Sequence, residues 1–193
     1  MGYFKKLQKG IGASPVFRSD DLRRIFPKLS NGYSRLLLHN LVKNGQIFRL
    51  SKGVYSFSEE ISMIGFAFSP FYYGCENALS IHGIWEQEAN PVVITPRKVR
   101  SGIRGFNGSN YLVRRISRKM FFGFESVRQY DLWMPVSDIE KTLIDCAYYD
   151  VYLQKSELGE LKSRLNPAKL SGYLKRSPKW LGRKVKKLLS LKK

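Results

Sequence analysis

The chain has 193 residues, 34 Lys or Arg against 15 Asp or Glu, a formal net charge of +19 and a pI of about 10.1. Its 43% hydrophobic content, with 12 Phe, 11 Tyr and 3 Trp, suffices for packed cores and excludes wholesale disorder, and no apolar run is long enough to span a bilayer. The length fits one full domain or two small ones, and so positive a field attracts polyanions, nucleic acid first.

The N-terminal "MGYFKKLQKG" is basic and no apolar signal-peptide core follows it, so a cytoplasmic location is expected. "RSDDLRRIFPKL" predicts a helix: Ser19 can cap it, Asp20 and Asp21 favour the positive end of its dipole, and Pro27 marks its end. A second helix follows in "LSNGYSRLLLHNLVKN", with Ser30 or Asn31 as cap. Spacings of three and four place Ser34, Leu37, Leu38 and Leu41 on one face; Asn31, Tyr33, Arg35, His39 and Lys43 fall mostly on the other. Gly45 suits a left-handed cap. "QIFRL" and "VYSF" read as two short strands, with Gly53 allowing the turn between them.

Helix, turn, helix, hairpin is the order of a winged helix-turn-helix. Small packed helices with a hairpin would give the same leucine face, so charge has to decide. The first 58 residues hold 11 Lys or Arg and 2 Asp or Glu, which is the electrostatic footprint of a nucleic-acid module. On this reading Asn31, Tyr33, Ser34, Arg35 and His39 face the major groove of double-stranded DNA, and Arg49 and Lys52 hold phosphates from the wing.

The centre is different. Residues 59–150 hold 10 basic and 11 acidic side chains, whereas residues 151–193 hold 13 basic and 2 acidic. "EEISMIGFAFSPFYYG" is too apolar for a flexible linker. "CENALSIHG" predicts a short helix stopped by Gly83, with His82 as a packing or capping residue. "NPVVITP", "SNYLVRRIS" and "FESVRQYDLWMPV" supply strands, and "RKVRSGIRG" between the first two reads as an exposed loop. There Arg97, Lys98, Arg100 and Arg104 are either solvated or possible phosphate contacts. In "VSDIEKTLIDCAYYD", Ser137 and Glu140 form a capping-box signature, and Ile139, Leu143, Cys146 and Ala147 give one apolar face. Cys75 and Cys146 lie in apolar helical patterns and are expected as buried thiols.

The tail predicts two proline-started helices, with Asn166 and Ser177 as N-caps before Pro167 and Pro178. In the second, Leu181, Val185, Leu188 and Leu189 share a face and Lys179, Arg183, Lys186 and Lys187 take the other. The narrow aliphatic stripe is expected to dock on its own domain, leaving the cations for phosphates. The whole is therefore expected to be α+β: a winged helix-turn-helix over residues 1–60, then a small α+β domain with a basic helical tail over residues 61–193.

Catalytic signatures are absent: no GxSxG, HExxH, Walker loop or GxGxxG occurs. A metal nuclease would need two or three carboxylates converging from Asp131, Asp138, Glu140, Asp145 and Asp150. Glu140 is better used as a cap and Asp138 on the helix dipole, so neither an enzyme, a metal nor a cofactor is expected.

Three stretches resemble the AbiEi antitoxin family of type IV toxin–antitoxin systems, first met as abortive-infection modules. "LVKNGQIFRLSKGVYSF" is similar to the family's winged-helix ending through Gly45, Arg49, Leu50, Gly53, Val54 and Tyr55. "YYGCENALSIHGIWEQ" matches its next helix through Ala78, Leu79, His82 and Gly83. "MPVSDIEKTLIDCAYY" matches a third through Val136, Glu140, Lys141, Leu143 and Asp145. The likeness covers roughly residues 1–150, and departs from the family where Asp138-Ile139 stands in place of a proline before Glu140, and in the very basic tail. It implies a repressor that binds inverted repeats in its own operon's promoter. It further implies an antitoxin that counters a cognate nucleotidyltransferase-type toxin without forming a stable complex. The competing readings are a winged-helix regulator whose centre senses a small ligand, and a nuclease delivered to DNA.

Overall fold

The computed structural model describes residues 2–129 and 132–190. The protein is mixed α+β with two sheets, in two units, Met1–Ala67 and Phe68–Lys193. The break expected after residue 60 thus lies inside the first unit.

The first unit runs α1 (Tyr3–Ile11), β1 (Val16–Arg18), α2 (Ser19–Ile25), α3 (Asn31–Lys43), β2 (Phe48–Ser51) and β3 (Val54–Ser56). Neither α1 nor β1 was read from the sequence. Strand β1 is three residues long, too short to show alternation, and it exists because β3 accepts it: Phe17 opposes Tyr55 across an antiparallel ladder in the order β1-β3-β2. Ser19 is not the cap of α2. It is the first helical residue and its amide donates to the Gly53 carbonyl, while the Asp21 carboxylate receives the Arg18 amide at 2.8 Å. Ser30 does cap α3, its hydroxyl accepting from the Tyr33 amide at 3.2 Å. Gly45 and Gly53 both take positive φ, +65° and +76°, the one ending α3 and the other turning the β2–β3 hairpin. Leu7, Phe17, Leu22, Leu38, Leu41 and Ile47 form the core, with the Phe17 ring stacked on Tyr55 and Phe57.

A 3-10 segment, Ile61–Phe68, leads into the second unit. Its strands are β4 (Tyr72–Tyr73), β5 (Val92–Thr95), β6 (Gly102–Phe106), β7 (Ser109–Arg115), β8 (Phe124–Gln129) and β9 (Leu132–Ser137), in the order β6-β7-β5-β4-β9-β8. The pairs β5–β7 and β4–β9 are parallel; the central pair β4–β5 and the two edge pairs β6–β7 and β8–β9 are antiparallel. Helices α4 (Cys75–Ile81), α5 (Ile139–Tyr148), α6 (Lys155–Arg164), α7 (Pro167–Arg176) and α8 (Lys179–Ser190) complete it. β4 and α6 were not anticipated, and the "RKVRSGIRG" stretch is only half a loop: from Gly102 it becomes the edge strand β6, paired with β7.

α5 is the hub. It was expected to bury one apolar face, yet Glu140, Lys141, Thr142 and Asp145 are buried too. Its cap is Asp138, whose carboxylate accepts from the Lys141 amide at 2.8 Å; Ser137 instead shares a hydrogen bond with the Thr142 hydroxyl. Glu140 accepts from the Asn166 amide at 2.8 Å and pairs with Lys169, tying α7 to α5. Tyr173 donates to Asp138 at 2.7 Å; burial and that carboxylate push its phenol up to about 12. At the centre, with no solvent exposure, Lys141 forms an ion pair with Asp145 and donates to the Tyr72 hydroxyl at 2.9 Å. Tyr72 in turn donates to Asp145 at 2.8 Å. Burial raises the Asp145 carboxyl above the usual range, against the opposing pull of Lys141.

The tail docks as expected. Leu181 and Val185 are fully buried in the core built on α5, with Leu188 and Leu189 packed at its edge, and Trp180 stacks on Tyr148. Asn166 caps α7 through the Ala168 and Lys169 amides. Ser177 does not cap α8, because its hydroxyl donates backwards to the Tyr173 carbonyl. Cys75 and Cys146 are both buried thiols. None of the described helices is long and apolar enough to cross a membrane.

Candidate nucleic-acid interface

Within the first unit, α2, the start of α3 and the β2–β3 hairpin enclose a cavity of about 300 Å³. α3 contributes Asn31, Ser34, Arg35 and Leu38, the i, i+3, i+4, i+7 positions that share one face of a helix. α2 contributes Ser19 and Arg23, one turn apart, and the hairpin contributes Arg49, Lys52 and Tyr55. Four cations therefore converge, and among the described residues no carboxylate lines the cavity.

The cations are free to meet an external anion. Arg35 and Lys52 are exposed, and their side chains make no hydrogen bond or ion pair among the described residues. Arg49 only reaches the Ser51 carbonyl at 3.4 Å, and Arg23 lies 3.8 Å from Asp20, a solvent-exposed pair of little energetic weight. The hairpin register sets Arg49 opposite Tyr55, and a bulge between Arg49 and Ser51 bends β2 there.

Of the residues assigned from sequence, Asn31, Ser34, Arg35, Arg49 and Lys52 meet in this cavity. Ser34 is 8% exposed and belongs to its floor, which corrects its assignment to an open groove-facing surface. Its place among the leucines, at the spacing already noted, explains why. Tyr33 points elsewhere: its ring lies 6.0 Å from Tyr3, and a hydrogen bond with Tyr3 raises its phenol above the usual range. His39 is exposed two turns along from Asn31, on the same flank as Arg35 but outside the cavity. Arg23 and Tyr55 were missed. Arg23 stands four residues from Ser19 and next to buried Leu22 on α2, and no sequence signal singles out that side of so short a helix.

In the second unit, Arg97, Lys98 and Arg100 are exposed on the segment before β6. Arg104 is drawn inward, donating to the Arg100 carbonyl at 2.7 Å and lying 5.2 Å from the Phe68 ring centroid. Lys179, Arg183, Lys186 and Lys187 are all exposed on α8.

Among the described residues, the carboxylates considered for a nuclease are each engaged by cations of the chain, and Asp138 and Glu140 meet at the Lys169 ammonium. Asp138 and Glu140 are taken by α7, Asp145 by Lys141, and Asp150 by Lys184; Asp131 lies outside the described residues. Among the described residues no three His, Cys, Asp or Glu side chains gather at metal spacing. His82, at the end of α4, donates its Nε2–H to the Ser137 carbonyl at 2.7 Å and so ties that helix to the start of α5.

No protein-family model matches the chain, and no curated protein sequence does. Among solved structures, the crystal structure of the RV2827C protein from Mycobacterium tuberculosis is similar in fold, with a TM-score of 0.63 at 12% identity, over 95% of this chain and 76% of that one.

Proposed function

We propose that residues 1–67 are a winged helix-turn-helix that binds double-stranded DNA, and that the chain is the repressor of its own operon. The observation that carries this is the cavity between α3 and the β2–β3 hairpin, where Arg23, Arg35, Arg49 and Lys52 converge with no carboxylate among them. The order helix, strand, helix, helix, hairpin, closed by β1 on β3, supports the same reading. Asn31, Arg35 and His39, on one flank of α3, are the base readers; Arg23, Arg49 and Lys52 are the phosphate clamps that set register. The resemblance to AbiEi antitoxins adds the second half: the unit from Phe68 onward counters a nucleotidyltransferase-type toxin. The test has two arms. A reporter driven by the chain's own upstream DNA is repressed by the full chain and not by an Arg35→Ala/Lys52→Ala variant. Cells expressing the neighbouring nucleotidyltransferase are rescued by both.

One observation favours a second reading, a regulator that senses a small cation. A cavity of about 360 Å³ in the second unit is lined by Glu76, Trp85, Glu88, Asn90 and Tyr111, and the buried Oε2 of Glu76 has no hydrogen-bond partner. Repression relieved by an organic amine, and abolished as a response in Glu76→Gln, would favour it.

A further inference from the structure

A groove runs between α7 and α8, with a volume of about 660 Å³. Half-buried Leu174 and Leu189 form its apolar floor, over the buried Leu170 and Val185, and Lys175, Lys179, Arg183 and Lys186 stand along it. All four cations are exposed and make no ion pair or hydrogen bond through their side chains among the described residues, and no carboxylate lines the groove. The neighbouring Lys184 differs, since it pairs with Asp150.

We infer that this groove docks an acidic amphipathic helix of a partner protein. The inference goes beyond the DNA reading and does not rest on it. Phosphates need the cations but have no use for a leucine floor, whereas a helix with leucines at i, i+4, i+7 and i+11 and glutamates on its flanks satisfies both features. α8 spans twelve residues, about 18 Å, so three turns of partner helix match the groove. A second copy of this chain does not complement it, because its exposed helices carry mostly cations and the chain as a whole is +19. A lipid surface does not either: the residues of α8 that would enter it, Leu181 and Val185, are fully buried against α5.

The experiment titrates the full chain into a fluorescein-labelled 16-residue peptide carrying leucine at positions 3, 7, 10 and 14 and mostly glutamate elsewhere. The control peptide has the same composition, with the leucines spread around the helix. Anisotropy should show the patterned peptide binding at least tenfold tighter than the control. Leu174→Gln and Leu189→Gln, one on each helix and each checked for native circular dichroism, should both lose that preference. Lys179→Glu/Arg183→Glu should weaken the patterned peptide at least tenfold. Equal affinity for both peptides, or unchanged affinity in the leucine variants together with displacement of the peptide by a random-sequence duplex, would make the groove a plain polyanion surface and overturn the inference.

Discussion

Replacing Lys141 by Met removes a charge from the centre of the second unit while keeping much of its volume. The cavity term is therefore small and electrostatics dominates. Asp145 is left fully buried, with only the Tyr72 hydroxyl donating to it. Breaking a buried pair by deleting one partner costs about 3–5 kcal/mol, and for a chain of this size each kcal/mol moves Tm by roughly 2–4 °C. Tm should drop by about 10 °C in calorimetry at neutral pH. The sign of the pH response follows from Asp145, whose folded pKa is already raised by burial and rises further without the lysine. The folded state then holds a proton more tightly than the unfolded chain, so the deficit is full above the folded pKa and shrinks as pH falls through it. Lys141→Met/Asp145→Leu should recover to within about 1 kcal/mol of wild type, since an apolar pair of similar volume replaces a buried ion pair at little cost. A single variant as stable as wild type at pH 7, or a double variant no better than the single, would refute this account of α5.

Arg35→Ala should relax sequence choice, costing on the order of 1–3 kcal/mol if it makes a bidentate guanine contact, read by anisotropy on matched and mutated duplexes. Lys52→Ala should weaken every duplex alike and reduce the slope of log affinity against log salt by about 0.9, seen in isotherms at several salt concentrations. Leu181→Ala, at a position with no solvent exposure, should cost about 2–5 kcal/mol in denaturant unfolding while leaving DNA affinity unchanged.

Long periodic segments were legible. The leucine spacing of α3 and the apolar stripe of α8 predicted what they bury, and Gly45 and Gly53 sit at the positive φ their positions implied. Short or context-made elements were not. β1 and β4 have three and two residues and exist through their partners in the sheets, and β6 looked like a loop because its glycines and arginines hide an edge strand. The caps failed for a related reason: at Ser19, Ser137 and Ser177 the expected hydroxyl cap is not used, because Asp21, Asp138 and the Tyr173 carbonyl offered local alternatives. The polar residues of α5 quoted for the resemblance make structural contacts. Lys141 and Asp145, four apart on α5, satisfy one another in the core, and Glu140 holds the start of α7. In the candidate interface, α3 and the hairpin were readable, but Arg23 comes from an element whose face only the fold reveals.

The most direct test is equilibrium binding of the full chain to a duplex carrying the DNA upstream of its own reading frame, against a scrambled duplex of equal length and composition at the same salt. The account predicts at least a hundredfold preference for the native duplex, reduced at least tenfold by Arg35→Ala in protein that keeps its native circular dichroism. Equal binding of both duplexes by the wild-type chain would contradict it.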